Sequence, residues 1–513
     1  MLGVVCVEAG RLDGAVFMLR RAVAAAPKEP KHLYRLAHTL YIQKKLDEAA
    51  EVFGQVIALE PERPLAYSAL GILRRDQGRP SEAIACFEQA LHLDPTLCEE
   101  RVNLGALLQQ AGRHQEAIAL YLRLLDEVPD QAETYSNLGA AYETLGQWNE
   151  AWKCYRRALD LKPDFANARW NVAAQQLIRG QWREGWQGYE GRWHLEENAG
   201  ILQKNSYRCP LWQGETRREG RVLLWAEQGI GDEMQFLGLL PEALRTGNRF
   251  MIDCDPRLKP LLRRSFAPEL ELGRVAPEEA ARHGVVAHLP LGSLPRLYRN
   301  SNEAFARNTV TGYLKADAAL VAELRSRYDD GRRTVGIAWH SGNKNSSQRR
   351  SIALEQLRPL FAVPGLRWIN LQYGNRAELQ QQAHQAGVPI EFDATVDPMV
   401  DMDGFAAQVA ALDLVVTIDN STVHMAGALG KSAWLLLPLV PDWRWMLGGN
   451  RSPWYPTLRL FRQTELDCWP PVIERVGVAL EHWRQAQTQR MRMPALRKGA
   501  SAASGAEVPV ISI

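Results

Sequence analysis

A proline returns every 34 residues through the first third of this chain: Pro27, Pro61, Pro95, Pro129 and Pro163. A single compact core does not explain such a ruler. A stack of near-identical two-helix units does, because each unit buries its apolar face only against its neighbours. Other columns keep the same register. Leu2, Leu36, Leu70, Leu104 and Leu138 are followed by small residues at Gly3, Ala37, Gly71, Gly105, Gly139 and Ala173. A second column, Ala15, Ala49, Ala83, Ala117 and Ala151, is followed four residues on by Leu19, Phe53, Phe87, Tyr121 and Tyr155. Small residues let paired helices approach, and the large ones fill the space between them. Gly10, Gly78, Gly112, Gly146 and Gly180 mark one turn per unit, with Lys44 the exception, and each proline closes a second helix that it cannot continue.

The pattern resembles the tetratricopeptide repeat and covers residues 1–195, giving an α-solenoid of five to six repeats. Met1 falls in mid-register of a first helix, so the first repeat is truncated. The sequence admits an upstream start, a frayed end or a cap supplied by a partner. Trp182, Trp186, Tyr189 and Trp193 keep second-helix spacing but replace the expected Ala with Gly185 and the closing proline with Glu197, the mark of a capping repeat that docks onto the next domain. Such a solenoid presents a concave groove for a partner. Asn103, Asn137 and Asn171 recur at 34-residue steps in the first helix, where a ladder of amides can bond the backbone of an extended peptide. Asparagine is equally an ordinary consensus residue at that position.

At 513 residues the chain is long enough for roughly three domains. Sixty-one Lys and Arg against 59 Asp and Glu leave a formal charge of +2, with 23% charged and 46% hydrophobic residues. That balance excludes a dedicated nucleic-acid binder and a disordered chain. Seven scattered cysteines form no Cys-x-x-Cys pair, which suits a reducing, cytoplasmic setting, and with no run near 20 apolar residues neither a membrane span nor a signal peptide is expected. All sixteen tryptophans fall at or after Trp148, so the two halves are built differently.

Residues 196–219, rich in chain breakers including Pro210 and Gly214, read as a linker. Beyond them short apolar runs of buried-strand type alternate with helical patterns: strand 221–226, helix 232–245, strand 249–254 and strand 285–289, then from about Gly331 strand 334–339, helix 354–361, strand 367–371, helix 377–386, strand 414–418, helix 421–429 and strand 433–437. This alternation predicts two successive Rossmann-like, doubly wound domains with parallel sheets, residues 220–325 and 331–470. Ligands in such sheets bind at the carboxyl ends of the strands, so the expected site is a cleft between the two domains. A helical pattern over 471–490 is read as crossing back to the first α/β domain, and the tail 491–513, poor in large residues, as disordered.

Three strand-to-helix turns carry the chemistry. In the first, Gln228, Gly229 and Gly231 allow close approach of a ligand and Asp232 presents a carboxylate, although an aspartate there also serves as a helix cap. In the second, His340, Ser341 and Gly342 precede Asn343, Lys344, Asn345 and then Arg349 and Arg350, a basic loop suited to phosphate or simply to solvent. In the third, Asp419, Asn420, Ser421 and His424 surround a helix N-terminus whose free N–H groups and positive dipole end favour an anion. No cluster of metal-ligand spacing appears, and Asp401 to Asp403 read as a helix-capping stretch. Trp443, Trp445, Trp454 and Tyr455, with Pro441, Pro453 and Pro456, form an aromatic loop fitted either to stacking on a ligand or to docking between domains.

Residues 220–490 resemble the two-domain GT-B glycosyltransferases, specifically the heptosyltransferase-like family 9 group in its bacterial form fused to tetratricopeptide repeats. The resemblance rests on Ala226-Glu-Gln-Gly-Ile-Gly-Asp-Glu-Met-Gln-Phe236, Gly336-Ile-Ala-Trp-His-Ser-Gly342, Arg350-Ser-Ile352, Asp413-Leu-Val-Val-Thr-Ile-Asp419, His424-Met-Ala-Gly-Ala-Leu-Gly430, Pro441-Asp-Trp-Arg-Trp445 and Ser452-Pro-Trp-Tyr455. It implies an inverting hexosyl- or heptosyl-transferring enzyme that needs no cofactor beyond a nucleotide-diphosphate sugar as co-substrate. Asp232 falls where that family carries its catalytic base, and Asp419, Asn420, Ser421 and His424 where it holds the donor diphosphate. Asn420 and Ser421 replace the family's Thr-Gly and His340 replaces a small residue, so donor identity is not carried across. Fusion to a repeat groove suits a protein or peptide acceptor. Lipopolysaccharide or surface polysaccharide as acceptor, and a non-catalytic scaffold with a decayed transferase half, are the alternatives. The sequence does not define an oligomeric state.

Overall fold

The computed structural model describes residues 12–268, 270–307, 311–342 and 347–500. Leu2, Gly3 and Gly10 of the repeat columns and Asn343, Lys344 and Asn345 of the basic loop lie outside them. The chain forms two units, Met1–Val172 and Ala173–Ile513.

In the first unit, helices come in antiparallel pairs: Pro30–Ile42 with Leu46–Leu59, Pro64–Asp76 with Pro80–Leu93, Cys98–Gln110 with His114–Glu127, and Ala132–Thr144 with Trp148–Leu161. Each second helix ends two residues before its proline, at Ala25, Leu59, Leu93, Glu127 and Leu161. The small-residue column does what its spacing predicts. A Cβ on Gly105 would lie 2.4 Å from the Tyr121 ring, and one on Gly139 2.6 Å from the Tyr155 ring. The turn glycines Gly78, Gly112 and Gly146 are left-handed, and Lys44 adopts the same conformation at φ 62°, a strain of roughly 1–2 kcal/mol for a residue with a Cβ. The sequence exception is therefore conformationally loyal to the repeat.

In the second unit, helix α1 (Trp182–Tyr189) precedes a four-stranded and a six-stranded sheet, both wholly parallel. The first contains β1 (Arg221–Trp225), β2 (Phe250–Asp253), β3 (Leu270–Leu272) and β4 (Val285–Pro290) in the order β3-β2-β1-β4. The second contains β5 (Arg333–Ala338), β6 (Leu366–Asn370), β7 (Ile390–Glu391), β8 (Leu414–Ile418), β9 (Ala433–Leu437) and β10 (Leu458–Arg462) in the order β10-β9-β8-β5-β6-β7. Each sheet starts in its middle and winds outward both ways, which puts a crevice beside the carboxyl ends of β1, β5 and β8. Every residue of β8 and β9 is buried, as strands covered on both faces require.

Four expectations change. The helix read over 232–245 is two, α2 (Ile230–Leu237) and Leu240–Leu244, broken at Gly238 and restarted with Pro241 in its first turn. The linker 196–219 is ordered against the first sheet: Trp212 is fully buried and its backbone N–H donates to the His288 carbonyl at 2.8 Å. The described side chains of the last helix, α3 (Pro470–Ala500), pack on the second sheet's domain where the pattern is read as crossing back to the first. Val472, Ile473, Val476 and Leu480 instead complete the core of the second α/β domain with Leu357 and Leu360, the surface their spacing matches. That helix also extends through 491–500, a stretch read as disordered, while 501–513 lie outside the described residues. Among the described residues no helix is long and apolar enough to cross a membrane.

Candidate functional site

The three turns singled out in the sequence converge. Gly229, Gly231 and Asp232 after β1, Ser341, Gly342 and Arg350 after β5, and Asp419, Asn420, Ser421 and His424 after β8 all line one cavity of about 380 Å³, within the range of small-molecule sites. A second hollow of about 330 Å³ beyond the ends of β6 and β7 adjoins it, with Pro398 and Phe405 common to both. A larger cavity, about 1150 Å³, lies between β10 and α3. It is away from the strand ends where a doubly wound sheet presents its chemistry.

The third turn is built from short polar residues that follow a buried strand. Asn420 is the N-cap of the helix Ser421–Ala428: its Oδ1 accepts from the Thr422 N–H at 3.0 Å and from the Thr417 hydroxyl at 3.1 Å. The helix therefore starts at Ser421, and its amino end opens on the cavity, ready for an anion. Asp419 is buried and faces Arg350, whose Nη1 stands 2.9 Å from Oδ2. Burial pushes the Asp419 carboxyl up, against the pull of Arg350.

Gly231 serves helix packing. A Cβ there would meet His424 Cδ2 at 3.0 Å, so the missing side chain lets α2 lie against the Ser421–Ala428 helix. Asp232 is both cap and site residue. One oxygen accepts from the Gly229 N–H at 3.2 Å, closing the first turn of α2, and the other is held by Arg444. Glu233 faces the opposite way, accepting from the Asp255 N–H at 2.8 Å, as the 100° step along a helix demands.

Arg444 is the residue that sequence reasoning left without a role. Buried between the two sheets, it donates through Nε to Gln235 Oε1 at 2.7 Å, through Nη1 to Asp442 Oδ1 at 2.7 Å and through Nη2 to Asp232, and its guanidinium stands 4.2 Å from the Trp443 ring centroid. Although burial opposes ionisation, the carboxylates of Asp442 and Asp232 hold its pKa above the usual value. Burial likewise opposes the charge on Asp442, but Arg444 and then Arg350 hold that carboxyl below its ordinary range. The sign of its importance in the sequence was an arginine between two tryptophans in a proline-bounded loop. That loop is a docking core: Trp443, Trp445, Trp454 and Tyr455 are all buried.

Two expected site residues turn away. The Gln228 side chain leaves the cavity and donates to the Tyr189 hydroxyl at 2.6 Å, while the His340 ring is exposed and stands 3.1 Å from the Ser351 hydroxyl. In an irregular turn, neighbouring side chains follow no period, so adjacency to Gly229 or Ser341 does not decide direction. Asn103, Asn137 and Asn171 occupy equivalent half-buried places in three successive first helices, and Arg75 donates to Asn103 Oδ1 at 3.4 Å. Asp401 caps the helix Met402–Ala411, accepting from the Asp403 and Gly404 N–H groups.

The capping residues 182–192 dock onto both sides of the cavity. Trp186 donates to the Arg299 carbonyl at 2.7 Å and stacks edge-on against Trp443 at 5.2 Å, and Arg192 reaches Glu227 and the Ser293 hydroxyl, each at 3.0 Å. The turn bearing Asp232 and the loop bearing Arg444 thus share one support.

Burial raises the Glu233 carboxyl to about 7. A carboxyl raised above its unfolded value stabilises fully at pH below that unfolded value, and the contribution is lost as pH rises through the folded one. Between about pH 4.5 and 7, Glu233 should therefore cost stability increasingly, and Glu233→Gln should remove that trend. Urea midpoints of both proteins across this window check it, and parallel curves would contradict it.

Tetratricopeptide-repeat family models match residues 1–64, 34–97 and 100–164, so the amino-terminal third of the chain carries tetratricopeptide repeats. Protein FlbA of Caulobacter vibrioides is 32% identical over 291 residues, 52% of this chain and 48% of its own, so the chain spans about half the length of that curated relative. Among solved structures, a crystal structure of MamA is 25% identical with a TM-score of 0.31, covering 32% of this chain and 97% of its own. YrrB, described as a TPR protein with an unusual peptide-binding site, is 15% identical with a TM-score of 0.31 over 37% of this chain and 97% of its own. A thermophilic TPR protein of Thermus thermophilus is 25% identical with a TM-score of 0.27 over 34% and 96%.

Proposed function

We propose that the second unit is an inverting glycosyltransferase of GT-B type, similar to the family 9 group, and that the repeats hold its acceptor, a protein or peptide. One observation carries the reading: at the ends of two parallel sheets a helix amino end, the buried Arg444, the half-buried Arg350, the carboxylates of Asp232 and Asp419 and the His424 ring line the same cavity. In this reading the diphosphate of a nucleotide sugar lies at the amino end of the Ser421–Ala428 helix beside Arg350 and Arg444. Fixed positive charge there stabilises the departing diphosphate as its charge develops. The acceptor hydroxyl attacks the anomeric carbon from the opposite side, and the adjoining hollow beyond β6 and β7 takes the nucleoside. Asp232, the expected base, lines the same cavity and follows Gly231, which packs against Ser421 and His424 at that helix end. Tethering the acceptor through the same chain raises its effective concentration at the cavity.

The test is transfer of labelled sugar by the purified chain from ADP-, UDP-, GDP- and dTDP-linked donors. Label should reach serine or threonine hydroxyls of a protein. Transfer only to lipid or free saccharide would reject the acceptor assignment, and an unchanged cellular phenotype of Asp232→Asn, with nucleotide sugar still bound, would favour a non-catalytic scaffold.

A further inference from the structure

We propose that the groove between β10 and α3 docks an acidic, amphipathic helix of a partner protein. It is independent of the transferase reading, because the groove lies at the edge of the second sheet and shares no lining residue with the cavity beyond β1, β5 and β8. At about 1150 Å³ it exceeds the roughly 300–1,000 Å³ of small-molecule sites, a size that suits a stretch of polypeptide.

The groove follows from how α3 meets the sheet. Val472, Ile473, Val476 and Leu480 point into the domain core, and the 100° step of a helix then puts Arg475, Val478 and His482 on the adjoining face, which is exposed. Opposite them, the two-residue period of β10 sets Arg459 on the face of Phe461, which packs in the same core as α3. A covered strand calls for an apolar residue there. Arg459 is exposed instead, its guanidinium 4.6 Å from the Phe461 ring centroid and 5.7 Å from that of Trp434.

The charges of the groove are uncompensated. Arg451 and Arg475 donate to backbone carbonyls and Arg459 stacks on rings, and none of the three pairs with a carboxylate among the described residues. In a chain of formal charge +2, three such arginines against Glu474 in one groove make a local field for an anionic partner. Val478, 52% exposed, and the half-buried Trp483 add apolar contact between the charges, and arginine with aromatic rings is what the centre of a protein interface favours.

Three features choose among anionic partners. A strand finds the edge of β10 already taken: the Leu460 N–H donates to the Asn450 carbonyl at 2.9 Å, and Arg451 bridges Arg459. Single-stranded nucleic acid needs open ring faces for stacking, and Trp434 and Phe461 are buried beneath Arg459. A recessed groove does not meet a flat bilayer. A helix lays an apolar stripe on Val478 and Trp483 while carboxylates beside that stripe take the arginines in bidentate pairs.

The test titrates the full chain into a fluorescein-labelled peptide of about 16 residues, long enough to form a helix, with leucine at i, i+3, i+4 and i+7 and glutamate on either side. Anisotropy should show saturable binding that weakens at high salt. Binding should fall about tenfold or more when glutamine replaces the glutamates, and equally in Arg459→Gln and Arg475→Gln, exposed positions whose urea midpoints should match the wild type's. Hydrogen exchange with the peptide bound should show protection in 450–461 and 474–483. No binding, equal binding of the two peptides, an unchanged Kd in both arginine variants, or protection confined to other segments overturns the proposal. Tighter binding of phosphatidylglycerol vesicles or of oligo(dT), or self-association that Arg459→Gln abolishes, also overturns it, giving the groove to a membrane, a nucleic acid or a second copy.

Discussion

Arg444→Met is expected to destabilise the second unit by about 3–5 kcal/mol, because removing one member of a buried charge cluster leaves the others uncompensated. Asp442 and Asp232 lose their shared partner, Gln235 loses the donor to its Oε1, and Trp443 loses the cation stacked on it. Arg444→Lys keeps the charge but cannot reproduce three divergent donors, so it should recover only part of the loss. Urea denaturation followed by tryptophan fluorescence reads this well, since thirteen of the sixteen tryptophans lie in the second unit. The transition of the repeats should stay in place, because the two units need not unfold together. A variant as stable as the wild type would mean that Arg444 contributes no net ion pairing.

The second large effect is expected at Trp186, which is 0% exposed and lies amid Tyr189, Trp443 and Trp454 at ring distances of 5.3, 5.2 and 6.1 Å. Trp186→Ala should cost about 3–5 kcal/mol in lost packing and cavity, with roughly 1–3 kcal/mol more for the orphaned Arg299 carbonyl. It should also loosen both the turn bearing Asp232 and the loop bearing Arg444, so that hydrogen exchange rises in 226–237 and 441–455 together. Val478→Ala, at a side chain 52% exposed, is the matched control and should change little. Exchange confined to residues 182–189 would contradict a shared support.

The repeat unit was legible almost residue by residue, because a 34-residue period fixes helix ends, turn glycines and the small-to-large pairing at once. Gly105 against Tyr121 and Gly139 against Tyr155 are geometric consequences of two columns already visible in the sequence. The α/β unit was legible where strands are buried on both faces, as in β8 and β9, and illegible where they are short or lie at an edge. Leu270–Leu272 and Ile390–Glu391 are too brief to show a period, and β10 alternates Leu-Arg-Leu like a surface segment. Within the site, the polar residues after β1, β5 and β8 were found because short polar residues directly follow apolar runs. Arg444 was not, because it comes from an irregular loop 212 residues from its partner Asp232. Gln228 and His340 were placed on the right turns with the wrong direction, since direction in a turn depends on tertiary partners such as Tyr189 and Ser351.

A cavity that holds a nucleotide-diphosphate sugar, as proposed, must be stabilised by one. Thermal shift of the full chain and of Arg350→Ala, each with ADP-, UDP-, GDP- and dTDP-linked sugars, measures that directly. One nucleotide class should stabilise the wild type, by about 2.7 kcal/mol at 100 times its dissociation constant, and should stabilise Arg350→Ala far less. A wild type that none of the four donors stabilises, or an Arg350→Ala response equal to the wild type's, would contradict it.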